Sequence, residues 1–179
     1  MGDINKMKYQ STPSTFRWEG LGNVGEGRVT LGLEMPVLIY RLFQYTLRDI
    51  LTRELDSEQA ADIYRAAGHL AGKQFAEHVL DLSGDFDFFI TNLQRVLNEL
   101  KIGILRVESS DLDNLHFILT VSEDLDCSGL PITGQTVCDY DEGFIAGILE
   151  AYSNVKFDVI EIDCWSSGDR TCRFDAKPY

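Results

Sequence analysis

No stretch of this 179-residue chain reaches the roughly 20 consecutive apolar residues that a bilayer-spanning helix needs. The polar residues 1–13 lack the apolar core of a signal peptide, so a cytoplasmic location is expected. Histidine is scarce, at three, and none falls in a metalloprotease pattern; no serine sits in a nucleophile elbow. Basic charge is short as well. Sixteen Lys and Arg against 29 Asp and Glu leave a net charge of −13. Such a surface repels phosphate backbones and anionic membranes, so neither nucleic acid nor membrane is expected as a partner. Internal repeats, low-complexity runs and linkers are all missing.

What remains reads as one α+β domain over residues 16–179 behind a loose N-terminus, 1–15. Residues 16–33 are glycine-rich, with Val29, Leu31 and Leu33 alternating as in a hairpin. Gly20-Leu-Gly22-Asn-Val-Gly25 spells GxGxxG within it. A dinucleotide fingerprint needs a strand before and a helix after, and the strand-like run past Arg28 points to a flexible hairpin instead. Pro36 opens a helix running to Leu55, and Ser57 caps a second over 58–80. The second carries Ala60, Ala61, Ala67, Gly68, Ala71, Gly72 and Ala76 at helical spacing, a face that another backbone can approach closely. A third helix, 85–100, is rich in Phe and Leu. Strands follow at 102–108 and 115–122, a short helix at 142–152, then strands at 156–163 and 171–176. Helices first and an antiparallel sheet after is the expected architecture.

The chemistry-bearing pattern is Cys138-x22-Glu161-x2-Cys164-x7-Cys172. Three thiolates and one carboxylate complete a tetrahedron suited to zinc, and four protein ligands close the site, making it structural. In a reducing compartment, free or metal-bound thiols are expected over a Cys164–Cys172 disulfide. Residues three apart on an ideal strand face opposite sides, so Glu161 and Cys164 can share an ion only across a bulge or strand end. The alternative reading makes the cysteines small buried hydrophobes and Glu161 a solvated strand residue. Cys127, in a polar loop, reads as a lone thiol or a spare ligand. The acidic clusters around Asp111 and Asp139 lack the pattern of a calcium loop and read as turn and helix-start residues.

Three stretches carry a resemblance: Cys138-Asp-Tyr-Asp-Glu-Gly-Phe-Ile-Ala-Gly, Val159-Ile-Glu161-Ile-Asp-Cys164, and Gly168-Asp-Arg-Thr-Cys172-Arg-Phe174. Together they resemble the 4-vinyl reductase domain family, and Cys127-Ser-Gly-Leu-Pro upstream is similar to it too. The resemblance implies a small-molecule binding module whose fold is shared with Bet-type vesicle-tethering (TRAPP) subunits and haem nitric-oxide sensors. It implies structural zinc on Cys138, Glu161, Cys164 and Cys172. In the family's aromatic sensors a histidine and a tryptophan hold the phenol hydroxyl. Phe117 stands where that tryptophan would fall, and no histidine matches, so a more apolar ligand is expected. Leu115, Phe117 and Ile148 are the candidates for its wall. A binding or sensor role for a small hydrophobic ligand, as a homodimer, is favoured over an enzyme. The rivals are a reductase or accessory protein of tetrapyrrole synthesis, and a dimeric scaffold.

Overall fold

The computed structural model describes residues 15–179, so most of the expected loose N-terminus lies outside the described residues. The chain divides into two compact units after Glu34. In the first unit the expected hairpin is replaced by a 3-10 turn, Trp18–Leu21, and a one-turn helix α1, Val24–Gly27, capped by the Asn23 side chain. Val29, Leu31 and Leu33 alternate, but each is more than 70% exposed and none is in a strand. Period-two apolarity makes a strand only when a second strand pairs with it.

The second unit, Met35–Tyr179, holds the helices α2 (Val37–Glu54), α3 (Ser57–Val79), α4 (Phe86–Glu99) and α5 (Asp139–Ser153). Its strands are β1 (Ile104–Asp111), β2 (His116–Ser122), β3 (Phe157–Asp163) and β4 (Cys172–Pro178). Local chemistry sets the helix starts. Pro36 precedes α2, and Asp56 and Asp85 accept the backbone N–H of Gln59 and Phe88. The sheet is antiparallel throughout, in the order β1-β2-β4-β3.

One sheet face is buried. Phe117, Leu119 and Val121 of β2, Phe157 and Val159 of β3, and Phe174 and Ala176 of β4 meet α4 and α5 in a single core. Its aromatic end is ordered by stacking, with Phe86 on Phe117 at 4.9 Å and Phe89 on Tyr152 at 4.1 Å between ring centroids. The helices pack by backbone contact. A Cβ on Gly68 or Gly72 of α3 would strike the carbonyl oxygens of Tyr140 and Phe144 on α5. One on Gly143 or Gly147 of α5 would strike those of Arg65 and His69 on α3. The small-residue face of α3 therefore meets a second one on α5.

Helix α2 is inside out. Its polar side faces the protein: Tyr40 and Gln44 donate to Asp126, Arg41 to the Leu125 carbonyl, and Arg48 to Asp139. Its apolar side, Leu38, Ile39, Leu42, Phe43 and Ile50, is exposed. No helix among the described residues is long and apolar enough to cross a membrane.

Candidate metal centre and ligand cavity

Four segments converge at one end of the sheet. Cys138 is the N-cap of α5, Cys164 follows β3, Cys172 opens β4, and Cys127 lies in the loop after β2. All four are free thiols, are buried, and have their Sγ atoms within 4.8 Å of one another. Cys138 Sγ lies 3.8 Å from Cys164 Sγ and 3.9 Å from Cys172 Sγ, and Cys127 Sγ lies 3.0 Å from Cys172 Sγ. A tetrahedral zinc with thiolates at about 2.3 Å spaces its sulfurs about 3.8 Å apart. The donor set fits one thiophilic ion.

The loop that carries Cys127 is tied to the hairpin turn after Cys164. Trp165 Nε1 donates to the Leu130 carbonyl at 3.0 Å, and the N–H groups of Thr133 and Gly134 donate to the Ser166 carbonyl at 2.8 and 3.0 Å. Asp124 Oδ1 takes the N–H groups of Asp126 and Cys127, both at 2.9 Å. These bonds bring Cys127 back over the start of β4, where Val121 already pairs with Cys172. Reading Cys127 as a lone thiol from its polar loop missed this gathering. The signal that could have found it is Cys127-Ser-Gly-Leu-Pro itself, a tight turn that returns the chain.

Glu161 sits beside this cluster. The β3–β4 register shifts between Glu161 and Asp163, and across that bulge Glu161 and Cys164 are both buried. Glu161 Oε2 accepts the N–H of Val137 at 3.2 Å and of Cys138 at 3.0 Å. Oε1 is buried without a hydrogen-bond partner. Burial first, and then the charge of Cys164, push its carboxyl up to about 8. Glu142 locks the same corner: it accepts the Glu161 N–H at 2.7 Å and the Arg65 guanidinium at 2.6 Å.

A narrow apolar crevice of about 30 Å³ opens between α4, α5 and the β1–β2 side of the sheet. Leu93, Leu97, Leu119, Val121 and Ile148 line it, and Asp124 and Asp141 close the end nearest Cys138. Of the three candidate wall residues, Ile148 is among those lining it. Phe117 shares the buried face of β2 but lies at its other end, stacked on Phe86 and beside Phe157, and Leu115 turns with φ 51° in the β1–β2 loop. Neither lines the crevice. A second cavity, about 230 Å³, lies between α2 and α3 and is lined by Phe43, Leu47, Leu51, Ile63, Tyr64 and Tyr140. His69 pairs with Glu150 at 2.8 Å and His116 with Asp175 at 2.7 Å, both partly exposed.

Of the two acids at the crevice, Asp141 belongs to the cluster that reads from sequence as helix-start residues, and Asp124 carries no reading there. Burial, then Asp126, pushes Asp124 up to about 7, and burial raises Asp126 and Asp141 as well. An acid that holds its proton more tightly folded than unfolded loses stability as pH rises. The loss begins near the unfolded carboxylate value, about 4, and is complete above the folded one. Asp124→Asn should therefore stabilise the metal-free protein more at about pH 8 than at about pH 5. Urea titrations with chelator present check this, and an equal effect at both pH values refutes the burial account.

A model of the 4-vinyl reductase domain matches residues 117–178. Two uncharacterized proteins of Methanocaldococcus jannaschii are each 31% identical over 148 residues, spanning 83% and 82% of this chain and 79% and 80% of their own. Among solved structures, the phenol-responsive sensory domain of the transcription activator PoxR, with phenol, superposes with a TM-score of 0.60 at 17% identity. It covers 82% of this chain and 76% of its own. A vinyl-4-reductase family protein of Methanocaldococcus jannaschii gives 0.58 at 18% identity, over 87% and 89% of the two chains. A trafficking protein particle complex subunit 3 from Naegleria fowleri, covalently bound to palmitic acid, gives 0.61 at 13%, over 80% and 94%. The fold is shared with all three. With the domain match lying across the cysteine-bearing strands and relatives aligned over four-fifths of its length, the chain belongs to the 4-vinyl reductase domain family.

Proposed function

We propose that the protein is a cytoplasmic binding or sensor module for a small hydrophobic ligand, stabilised by a structural zinc ion. The observation that carries this is the apolar crevice running from α4 and α5 to the thiol cluster. Apolar walls with few polar fixers are the usual construction of a small-molecule site. The ligands held by the PoxR domain, phenol, and by the trafficking subunit, palmitic acid, support the class. Cys138, Cys164 and Cys172 supply three zinc donors, and Glu161 or Cys127 the fourth. Zinc would add no chemistry to the ligand; it would hold α5 against the β3–β4 hairpin. The crevice, at about 30 Å³, would have to widen to admit a ring. Native mass spectrometry with elemental analysis, before and after mild organic extraction, tests this reading. One zinc per chain and a small extractable organic mass are expected. Zinc with no ligand would shift the reading to a scaffold, and neither would end it.

The exposed apolar side of α2 supports a homodimer, with a second copy covering Leu42 and Phe43. Phe43→Glu is expected to leave the helical content unchanged and to halve the mass seen by light scattering. A wild-type monomer at micromolar concentration would remove the dimer.

A further inference from the structure

We infer that the fourth donor to the metal is Cys127, giving an all-thiolate site, and that Glu161 acts beside it as a backbone clamp. The inference rests on the zinc reading and specifies its donor set. Five side chains compete for four positions. The four thiol sulfurs lie mutually within 4.8 Å, and no carboxylate oxygen belongs to that group. Around Cys138 the sulfur spacings of 3.8 and 3.9 Å match the edge of a zinc–thiolate tetrahedron, about 3.8 Å. Cys127 needs only a small outward shift from Cys172, at 3.0 Å, to reach the same edge.

Glu161 already holds backbone through one oxygen, Oε2, while Oε1 is buried without a hydrogen-bond partner. Its Oε2 takes the N–H groups of Val137 and Cys138, the residues entering α5, which have no partner within the helix. Its own N–H is held by Glu142. The carboxylate thereby fixes where Cys138 stands, one step removed from the ion, as outer residues commonly orient ligands. Thiophilic ions also favour sulfur over a carboxylate oxygen when both are within reach. On binding, each coordinating thiol releases its proton to solvent and the ion takes four sulfur lone pairs; no redox change is involved.

The loop geometry makes this donor available. Asp124 fixes the Cys127 N–H, and the Trp165 and Ser166 bonds hold the loop to the hairpin, so Cys127 reaches the cluster from a segment the other three do not use. The site then joins the loop after β2, α5, the β3 end and β4.

X-ray absorption at the zinc edge on the purified full chain tests the assignment. The expected result is a shell of four sulfurs at about 2.3 Å with no oxygen shell near 2.0 Å. Cys127→Ser should convert it to three sulfurs and one oxygen and weaken zinc tenfold or more in chelator competition, while Glu161→Gln should keep all four sulfurs. A shell of three sulfurs and one oxygen in the wild type, or an unchanged sulfur count in Cys127→Ser, overturns the assignment and leaves the zinc reading standing. No zinc even after reconstitution under reducing conditions removes both. The wild-type spectrum decides the matter alone should Cys127→Ser fail to fold.

Discussion

Alanine at Gly72 or Gly143 is expected to destabilise the domain by about 3 kcal/mol or more, with urea midpoints as the readout. In an exposed helix the same change is favourable by up to about 1 kcal/mol, because glycine is the poorer helix former. Here the sign reverses. The added methyl group would overlap the carbonyl of Phe144 or Arg65, which belongs to backbone and cannot rotate away. The two helices would have to separate, taking with them the buried residues Ala146, Ile148 and Leu149 of α5. Ala66→Gly, on the exposed side of α3, is the control and should cost no more than about 1 kcal/mol. Stability retained in Gly72→Ala would mean the helices do not cross at backbone contact.

Removing the proposed zinc is expected to have the larger effect. Structural zinc sites in small peptides hold their ion by about 10–16 kcal/mol. A preformed, partly packed site should still lose about 5 kcal/mol when a strong chelator takes the ion. The loss should be local first. Hydrogen exchange should quicken at Cys164–Cys172 and at the start of α5, while α4 and the aromatic stack around Phe117 stay protected. Cys164→Ser should mimic the chelated protein at every point. A chelator-treated protein with an unchanged melting curve would remove the structural role of the ion.

The sequence made the helices legible because their starts are written in short-range chemistry. Pro36 and Asp85 act within one turn, the second helix is capped by Asp56 where Ser57 was expected, and the apolar spacing of α4 names its buried face directly. Strand positions were legible for a similar reason: β3 alternates between buried and exposed positions, and β2 between buried and half-buried ones. The β3–β4 register shift between Glu161 and Asp163 lies where the sequence reading asked for a bulge or strand end if Glu161 and Cys164 were to face one point. Four features needed the third dimension. The orientation of α2 was hidden because either face of its pattern could face inward, and the choice is made by Asp126, 82 residues from Gln44. The place of Cys127 was only half legible: Cys127-Ser-Gly-Leu-Pro signals a turn, but the Trp165 and Ser166 bonds decide where the returning loop lands. The stretch at 16–33 misled because alternation without a pairing partner is not a strand. Asp141 belongs with these: it suits a helix start, and only packing makes it, with Asp124, the polar end of an apolar crevice.

The strand order has a kinetic consequence. β1 and β2 are neighbours in sequence and can pair as soon as both exist, but β4 enters the sheet between β2 and β3, although it comes last of the four. Until it arrives, β3 has no strand beside it and β2 has an open edge. Such open edges are the species that associate wrongly during folding. The strand that closes the gap also begins with Cys172, so joining the sheet and delivering that thiol to the other three are one event. An early-bound ion on Cys138 and Cys164 would then act as a landing point for β4, shortening the search for its register.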